Sequence, residues 1–175
     1  MKRQDILENQ AKIVFLGIGS NLGSRKINIE KAKFLINTEN TKIIKTSGFY
    51  LTKSWPIKSF PEYFNVILLI KTNLNLKNLF TKLKVIETDI GRKPMPKNFP
   101  RVCDIDIIDF NGRVFTQNDK FLNLEIPHPR MHNRNFVLIP LYEINKEWVH
   151  PKTKKNIVKL ISNLKDKDIM GIKLS

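Results

Sequence analysis

The chain has 175 residues, enough for one domain with a sizeable core. Hydrophobic residues make up 41% and charged residues 27%, a balance that excludes wholesale disorder. No apolar run approaches the roughly 20 residues needed to cross a bilayer, and the polar start lacks the apolar stretch of an export signal.

A lone cysteine, Cys103, excludes an internal disulfide framework and fits a reducing cytoplasm. The net charge of +15 comes largely from lysines spread along the whole chain. It invites a nucleic-acid reading, and a solvated lysine surface with no partner fits at least as well. In either case a positive surface would help steer an anionic substrate inward.

Residues 1–12 read as an extension and residues 13–175 as a single domain, with no internal repeat or low-complexity linker. Residues 13–18 are a short apolar run that stops at Gly19-Ser20-Asn21, so they predict a buried strand entering a turn. Residues 24–37 predict a helix, with Ile27, Phe34 and Leu35 among its apolar residues. A strand is expected over 41–51 and a long loop over 51–62, where prolines, serines and Trp55 gather. Residues 63–70 suit a central strand.

Asn75 caps the clearest helix, in which Leu76, Leu79, Phe80, Leu83 and Ile86 recur on one face and Gly91 marks the end. Residues 92–100 form a basic, proline-rich loop, 102–110 a strand, and 121–126 a further strand. The type of the apolar segment 136–144 stays open, and 154–164 predict a short helix. The order strand–helix–strand–strand–helix–strand predicts an α+β fold with a ferredoxin-like βαββαβ core. Its sheet should be mostly antiparallel, in a three-layer αβα sandwich.

Asp104-Ile105-Asp106-Ile107 carries the chemistry. In a strand, residues two apart share a face, so Asp104 and Asp106 stand side by side and repel unless a cation lies between them. Two carboxylates suit Mg²⁺ completed by substrate phosphates. A polar strand face in water is the plainer reading, and Asp109 shows that acids are not confined to the pair.

Arg92 and Arg101 bracket the preceding loop, with Lys93 and Lys97 inside it, and Arg forks match phosphate oxygens. Gly17-Ile18-Gly19-Ser20-Asn21-Leu22-Gly23 matches neither G-x-G-x-x-G nor the P-loop and reads as a strand-to-helix turn. His128 and His132 have metal-ligand spacing, but Pro127 and Pro129 oppose a continuous helix through them, so zinc is not expected. Trp55, Tyr63 and Phe136 are candidates to stack on a flat ring.

As an ordered set, these residues resemble the 6-hydroxymethyl-7,8-dihydropterin pyrophosphokinases of folate biosynthesis. The blocks are Gly19-Ser20-Asn21-Leu22-Gly23, Phe49-Tyr50-Leu51-Thr52, Tyr63-Phe64-Asn65, Glu87, Gly91-Arg92, Pro100-Arg101 and Asp104-Ile105-Asp106-Ile107. Pro127-His128-Pro129-Arg130-Met131, Asn133-Arg134 and Phe136 complete them.

The resemblance implies transfer of pyrophosphate from ATP to the pterin hydroxymethyl group, with AMP released. It implies two Mg²⁺ ions on Asp104 and Asp106, and catalytic roles for Arg92, Arg101, Asp104 and Asp106. ATP would meet Glu87, Arg92, Arg101, Ile107, His128 and Arg134. The pterin would meet Thr52, Tyr63, Asn65, Asp104 and Phe136. It further implies a monomeric cytoplasmic enzyme without nucleic-acid or membrane partners.

The chain departs from the family at several points. The loop over 92–101 is one residue short, and Pro94 replaces an arginine. Asn98 and Phe99 stand near a family tryptophan, and Lys84 replaces a glutamine. That loop is a mobile lid in the family, and its prolines restrict the conformations it samples.

Two other classes fit parts of the pattern. An Asp-x-Asp transferase using a nucleotide-sugar would need a nucleotide-binding unit upstream. A ferredoxin-like nucleic-acid module would need aromatics exposed on the middle strands.

Overall fold

The computed structural model describes residues 10–96, 98–118 and 123–175. Lys97 and residues 1–9 and 119–122 lie outside them, as do the N-terminal extension's first nine residues and the start of the strand expected at 121.

Strand β1 (Lys12–Ser20) pairs antiparallel with β4 (Tyr63–Thr72) on one side and with β5 (Asp104–Phe110) on the other. Helix α1 (Arg25–Ile36) follows β1, and helix α2 (Leu76–Asp89) joins β4 to β5. Strands β2 (Thr41–Thr46), β3 (Tyr50–Thr52) and β8 (Ile172–Leu174) complete the sheet. Its order is β5-β1-β4-β3-β8, with β2 also on β4. Every pairing is antiparallel, and the chain follows the expected βαββαβ path.

Alternation along the central strands feeds two cores. Val14, Leu16, Ile18, Val66, Leu68, Ile70, Ile105 and Ile107 pack under α1 and α2, against Ile29, Ala32, Ile36, Leu79, Leu83 and Ile86. Phe15, Ile67 and Ile108 point the other way, toward α3 (Asn135–Ile144) and α4 (Ile157–Ile161). The result is three layers, αβα. Burying each such Leu or Ile contributes about 1.5–3 kcal/mol, so truncating Leu83, which has no exposure, removes support for the whole α2 face.

The spacing of Ile29, Ala32 and Ile36 sets the buried face of α1, so Ile27 and Phe34 stay exposed. The apolar segment at 136–144 is the helix α3, with Pro140 inside it.

The single strand expected over 41–51 is broken into β2 and β3. Between the pairs Thr46–Leu68 and Tyr50–Asn65, four steps on one strand face three on β4, so the chain bulges. Ser47 fastens the bulge: its N–H donates to Ile67 O and its Oγ accepts from Ile67 N–H, both at 2.9 Å. A side chain at Gly48 would come within 2.5 Å of Leu174 Cδ1, the tip of an exposed side chain that can turn aside.

The strand expected over 121–126 is seen as β7 (Asn123–Ile126), hairpinned to β6 (Phe115–Asn118) in a small second sheet. The helix expected over 154–164 is the shorter α4, capped by Asn156, whose side chain accepts from Lys159 N–H. Helix α5 (Asp166–Met170) and β8 were not anticipated. None of the described helices is long and apolar enough to cross a membrane.

Candidate active site

Asp104 and Asp106 lie on the α3-side face of β5, opposite Gly19 and Gly17 of β1. Further along, Phe15 pairs with Asp109 and Leu16 with Ile107, so Ile108 is an extra residue. The bulge turns Asp109 to the same face as the acid pair, but under α3 rather than beside it. There Trp148 Nε1 donates to its Oδ2 at 2.8 Å and Gly112 N–H to its Oδ1 at 2.9 Å. Asp109 is structural.

Cations gather on the acid pair. Arg92 reaches Asp104 Oδ1 at 2.7 Å and Glu87 Oε2 at 2.6 Å, and Arg101 reaches Asp104 Oδ2 at 3.2 Å. Arg134 lies 3.5 Å from Asp106 Oδ2 and 3.4 Å from His128 Nε2. Burial works against the Asp104 charge, but Arg101, Arg92 and Lys84 outweigh it and hold the carboxyl below its ordinary range. Burial lowers His128, with Asp106 opposing and Arg134 and Arg130 adding to the shift, which favours the neutral ring.

Glu87 is 2% exposed and its carboxylate is occupied within the protein. It accepts from Ile105 N–H at 2.6 Å and from Lys84 at 2.8 Å, besides the Arg92 pair. Burial pushes its carboxyl upward against the pull of these partners. Glu87 therefore fixes Arg92 and the start of β5. Lys84 stands on it as counter-ion and also donates to Ile105 O at 3.2 Å. Ile107 buries its side chain in the core under α2, so only its backbone is available to a ligand.

Across Gly19 from the acids, β4 presents Tyr63 and Asn65. Asn65 Nδ2 donates to Thr52 Oγ1 at 2.9 Å, Tyr50 O at 3.3 Å and Tyr63 O at 3.5 Å. Three acceptors around one amide nitrogen settle its orientation and leave Oδ1 over Gly19. Thr52 thus holds Asn65 with its side chain. Burial raises the Tyr63 phenol, and Arg101 beside it lowers it in part. Phe136 enters from the first turn of α3, with the Arg134 guanidinium 5.4 Å from its ring centre. Trp55 is 72% exposed. His132 sits on the 3₁₀ turn Met131–Asn133, which breaks its helical alignment with His128.

One positioning residue went unselected. Asn21 is buried and ties three loops together. Its N–H donates to Arg101 O at 3.2 Å, its Oδ1 accepts from Arg101 N–H at 2.8 Å, and its Nδ2 donates to Ser54 Oγ and Pro61 O. The signal was an Asn in a turn, where a short amide side chain replaces backbone partners. The loop over 92–100 also touches the loop over 53–62, through Phe99 and Phe60 with ring centres 5.6 Å apart.

The donor set fits Mg²⁺. Among the described residues no three His, Cys, Asp or Glu side chains form a ready metal cluster. An ion here would rest on Asp104 and Asp106 and on oxygens carried by a phosphate substrate, which is the usual habit of this cation.

Comparison with known proteins bears on the family and the fold. The model of the 7,8-dihydro-6-hydroxymethylpterin-pyrophosphokinase (HPPK) family matches residues 15–146. The 2-amino-4-hydroxy-6-hydroxymethyldihydropteridine pyrophosphokinase of Aquifex aeolicus is 36% identical over 81% of this chain and 86% of its own length. The protein of the same name from Haemophilus influenzae is 33% identical over 87% of this chain and 92% of its own.

The folic acid synthesis protein of Pneumocystis carinii is 34% identical over 98% of this chain, yet the chain spans only 22% of that protein. Plasmodium falciparum HPPK-DHPS shares the fold, with a TM-score of 0.74 at 18% identity, covering 88% of this chain and 45% of that one.

Proposed function

The chain belongs to the 7,8-dihydro-6-hydroxymethylpterin-pyrophosphokinase family, and from that premise we propose that it transfers pyrophosphate from ATP to 6-hydroxymethyl-7,8-dihydropterin. The products are AMP and the pterin diphosphate, in folate biosynthesis. The observation that carries the reading is the acid pair on β5, with Arg92, Arg101 and Arg134 on its carboxylates and the Tyr63–Asn65 face of β4 across Gly19. The cations suit a triphosphate, and the β4 face suits a flat ring with a polar edge.

The pterin hydroxyl oxygen attacks the β-phosphorus. The bond from that phosphorus to the bridging oxygen of AMP breaks, and the hydroxyl proton is released. Arg92 and Arg101 carry charge-assisted hydrogen bonds to the phosphates, while Arg134 and neutral His128 hold the nucleotide. Asp104 and Asp106 are the residues to hold two Mg²⁺ ions, which when bound neutralise the triphosphate and stabilise charge in the transition state. Asn65 Oδ1 accepts from the pterin edge, Tyr63 and Phe136 flank the ring, and Thr52 keeps Asn65 in place. Catalysis of this kind is positioning and charge neutralisation. Glu87 serves it from behind by fixing Arg92, and Ile107 contributes backbone alone.

The test is product identity. Protein mixed with ATP, Mg²⁺ and 6-hydroxymethyl-7,8-dihydropterin should yield AMP. Formation of ADP, or no nucleotide product from folded protein, would overturn the reading.

A further inference from the structure

The run from Gly17 to Gly23 matches no phosphate-loop pattern, and the chemistry above leaves its glycines unused. Gly23 has a local reason, a left-handed φ of +68°. Gly17 has another: a side-chain carbon there would meet Ile108 Cδ1 at 3.3 Å and Ile67 Cδ1 at 3.5 Å, so protein already fills its space.

Gly19 has neither. It sits within β1, in ordinary strand backbone, where a glycine weakens the strand and often marks close approach of a ligand. It pairs with Asp104 on one side and Asn65 on the other. At about 4.8 Å per strand, those two backbones stand roughly 10 Å apart across it. A carbon added at Gly19 would meet Asn65 Oδ1 and Tyr63 Cδ1, each at 3.4 Å, which are ordinary contacts. The protein itself would accept a methyl group there.

We propose that Gly19 is a specificity-determining residue: its bare backbone is the floor that admits the pterin ring between Asn65 and Asp104. Without a side chain, the ring descends until its edge meets Asn65 Oδ1 and its alcohol reaches Asp104. A methyl group would cover both Asn65 Oδ1 and the near edge of Tyr63 and lift the ring away. The inference rests on the pyrophosphokinase reading and adds a size limit to it.

The experiment compares wild type with Gly19→Ala and Gly19→Val in steady-state formation of AMP. Binding of a non-hydrolysable ATP analogue and thermal unfolding are measured alongside. Gly19→Ala should raise the pterin KM about tenfold or more, the scale set by one misplaced methyl in a fitted pocket. Its ATP KM should stay within about twofold of wild type. Gly19→Val should lose turnover while still binding the analogue.

An unchanged pterin KM in folded Gly19→Ala, or an equal rise in both KM values, overturns the inference and leaves the functional reading standing. So does a Gly19→Ala protein that fails to fold, because the glycine would then be kept for the strand. Wild type that makes no AMP overturns the functional reading, and this inference with it.

Discussion

Asp104 and Asp109 both face the α3 side of β5, and their environments push them in opposite directions. Asp109 is 3% exposed, and among the described residues its donors are neutral, the Trp148 indole and the Gly112 amide. Burial raises its carboxyl, and those two donors only moderate the rise. Asp104 also loses solvent, but Arg101, Arg92 and Lys84 more than compensate and lower its carboxyl. The same residue type on the same strand face becomes a staple under α3 and a charged site beyond it. Partners decide which, since a neutral donor fixes a carboxylate and a cation keeps it ionised. The cations have a second property: a phosphate can compete for them, whereas nothing competes for the Trp148 bond.

The contrast can be broken most sharply at Asp106. Asp106→Asn should abolish turnover, a loss of about a thousandfold or more, while the unfolding midpoint stays near that of wild type. Near-normal AMP formation would remove Asp106 from the site. The opposite pattern is expected at Asp109. Asp109→Ala leaves the Trp148 indole without an acceptor and should cost about 1–3 kcal/mol of stability, with both KM values near wild type well below the melting range. A variant that stays stable but loses activity would make Asp109 part of the site. Tyr63→Ala is smaller and tests the far bank of the floor. It should weaken pterin binding roughly tenfold, by lost stacking, with less effect on ATP. Equal losses for both substrates would argue against a ring on Tyr63.

Much of this division was legible before the fold was known. Period-two spacing put Asp104 and Asp106 on one face, and the Leu79–Leu83–Ile86 stripe placed α2 under the sheet. Both patterns are local and depend only on backbone periodicity. What escaped depends on a second chain segment. Period two alone puts Asp109 on the opposite face, with Ile105 and Ile107; the bulge that turns it back is set by the pairing with β1. Glu87 looked like a nucleotide ligand, because nothing local shows that Lys84, Arg92 and the Ile105 amide already fill its carboxylate. The break between β2 and β3 depends on partners far along the chain, Ile67 bonding Ser47 and Glu143 bonding the Gly48 N–H. Asn21 stands in the Gly19–Gly23 turn, but its three side-chain bonds all reach other loops.

The rule drawn from Asp109 applies again at Tyr50, a buried phenol that bonds the exposed carboxylate of Glu143. Tyr50 donates its hydroxyl to Glu143 Oε2 at 2.9 Å, and Gly48 N–H donates to Glu143 Oε1 at 3.0 Å. Burial first, then the hydrogen bond and the charge of Glu143, push the Tyr50 phenol from its ordinary 10.0 up to about 12. Between those two values the folded protein holds a proton that the unfolded chain has released, so this contribution to stability is complete below pH 10 and lost as pH rises toward 12. Tyr50→Phe has no phenol to ionise. It should be less stable than wild type at pH 8 by about 1 kcal/mol, the worth of one hydrogen bond. Urea midpoints taken at intervals across the alkaline range should then show the gap between the two proteins closing. A gap of constant width would mean that Glu143 does not hold the Tyr50 proton.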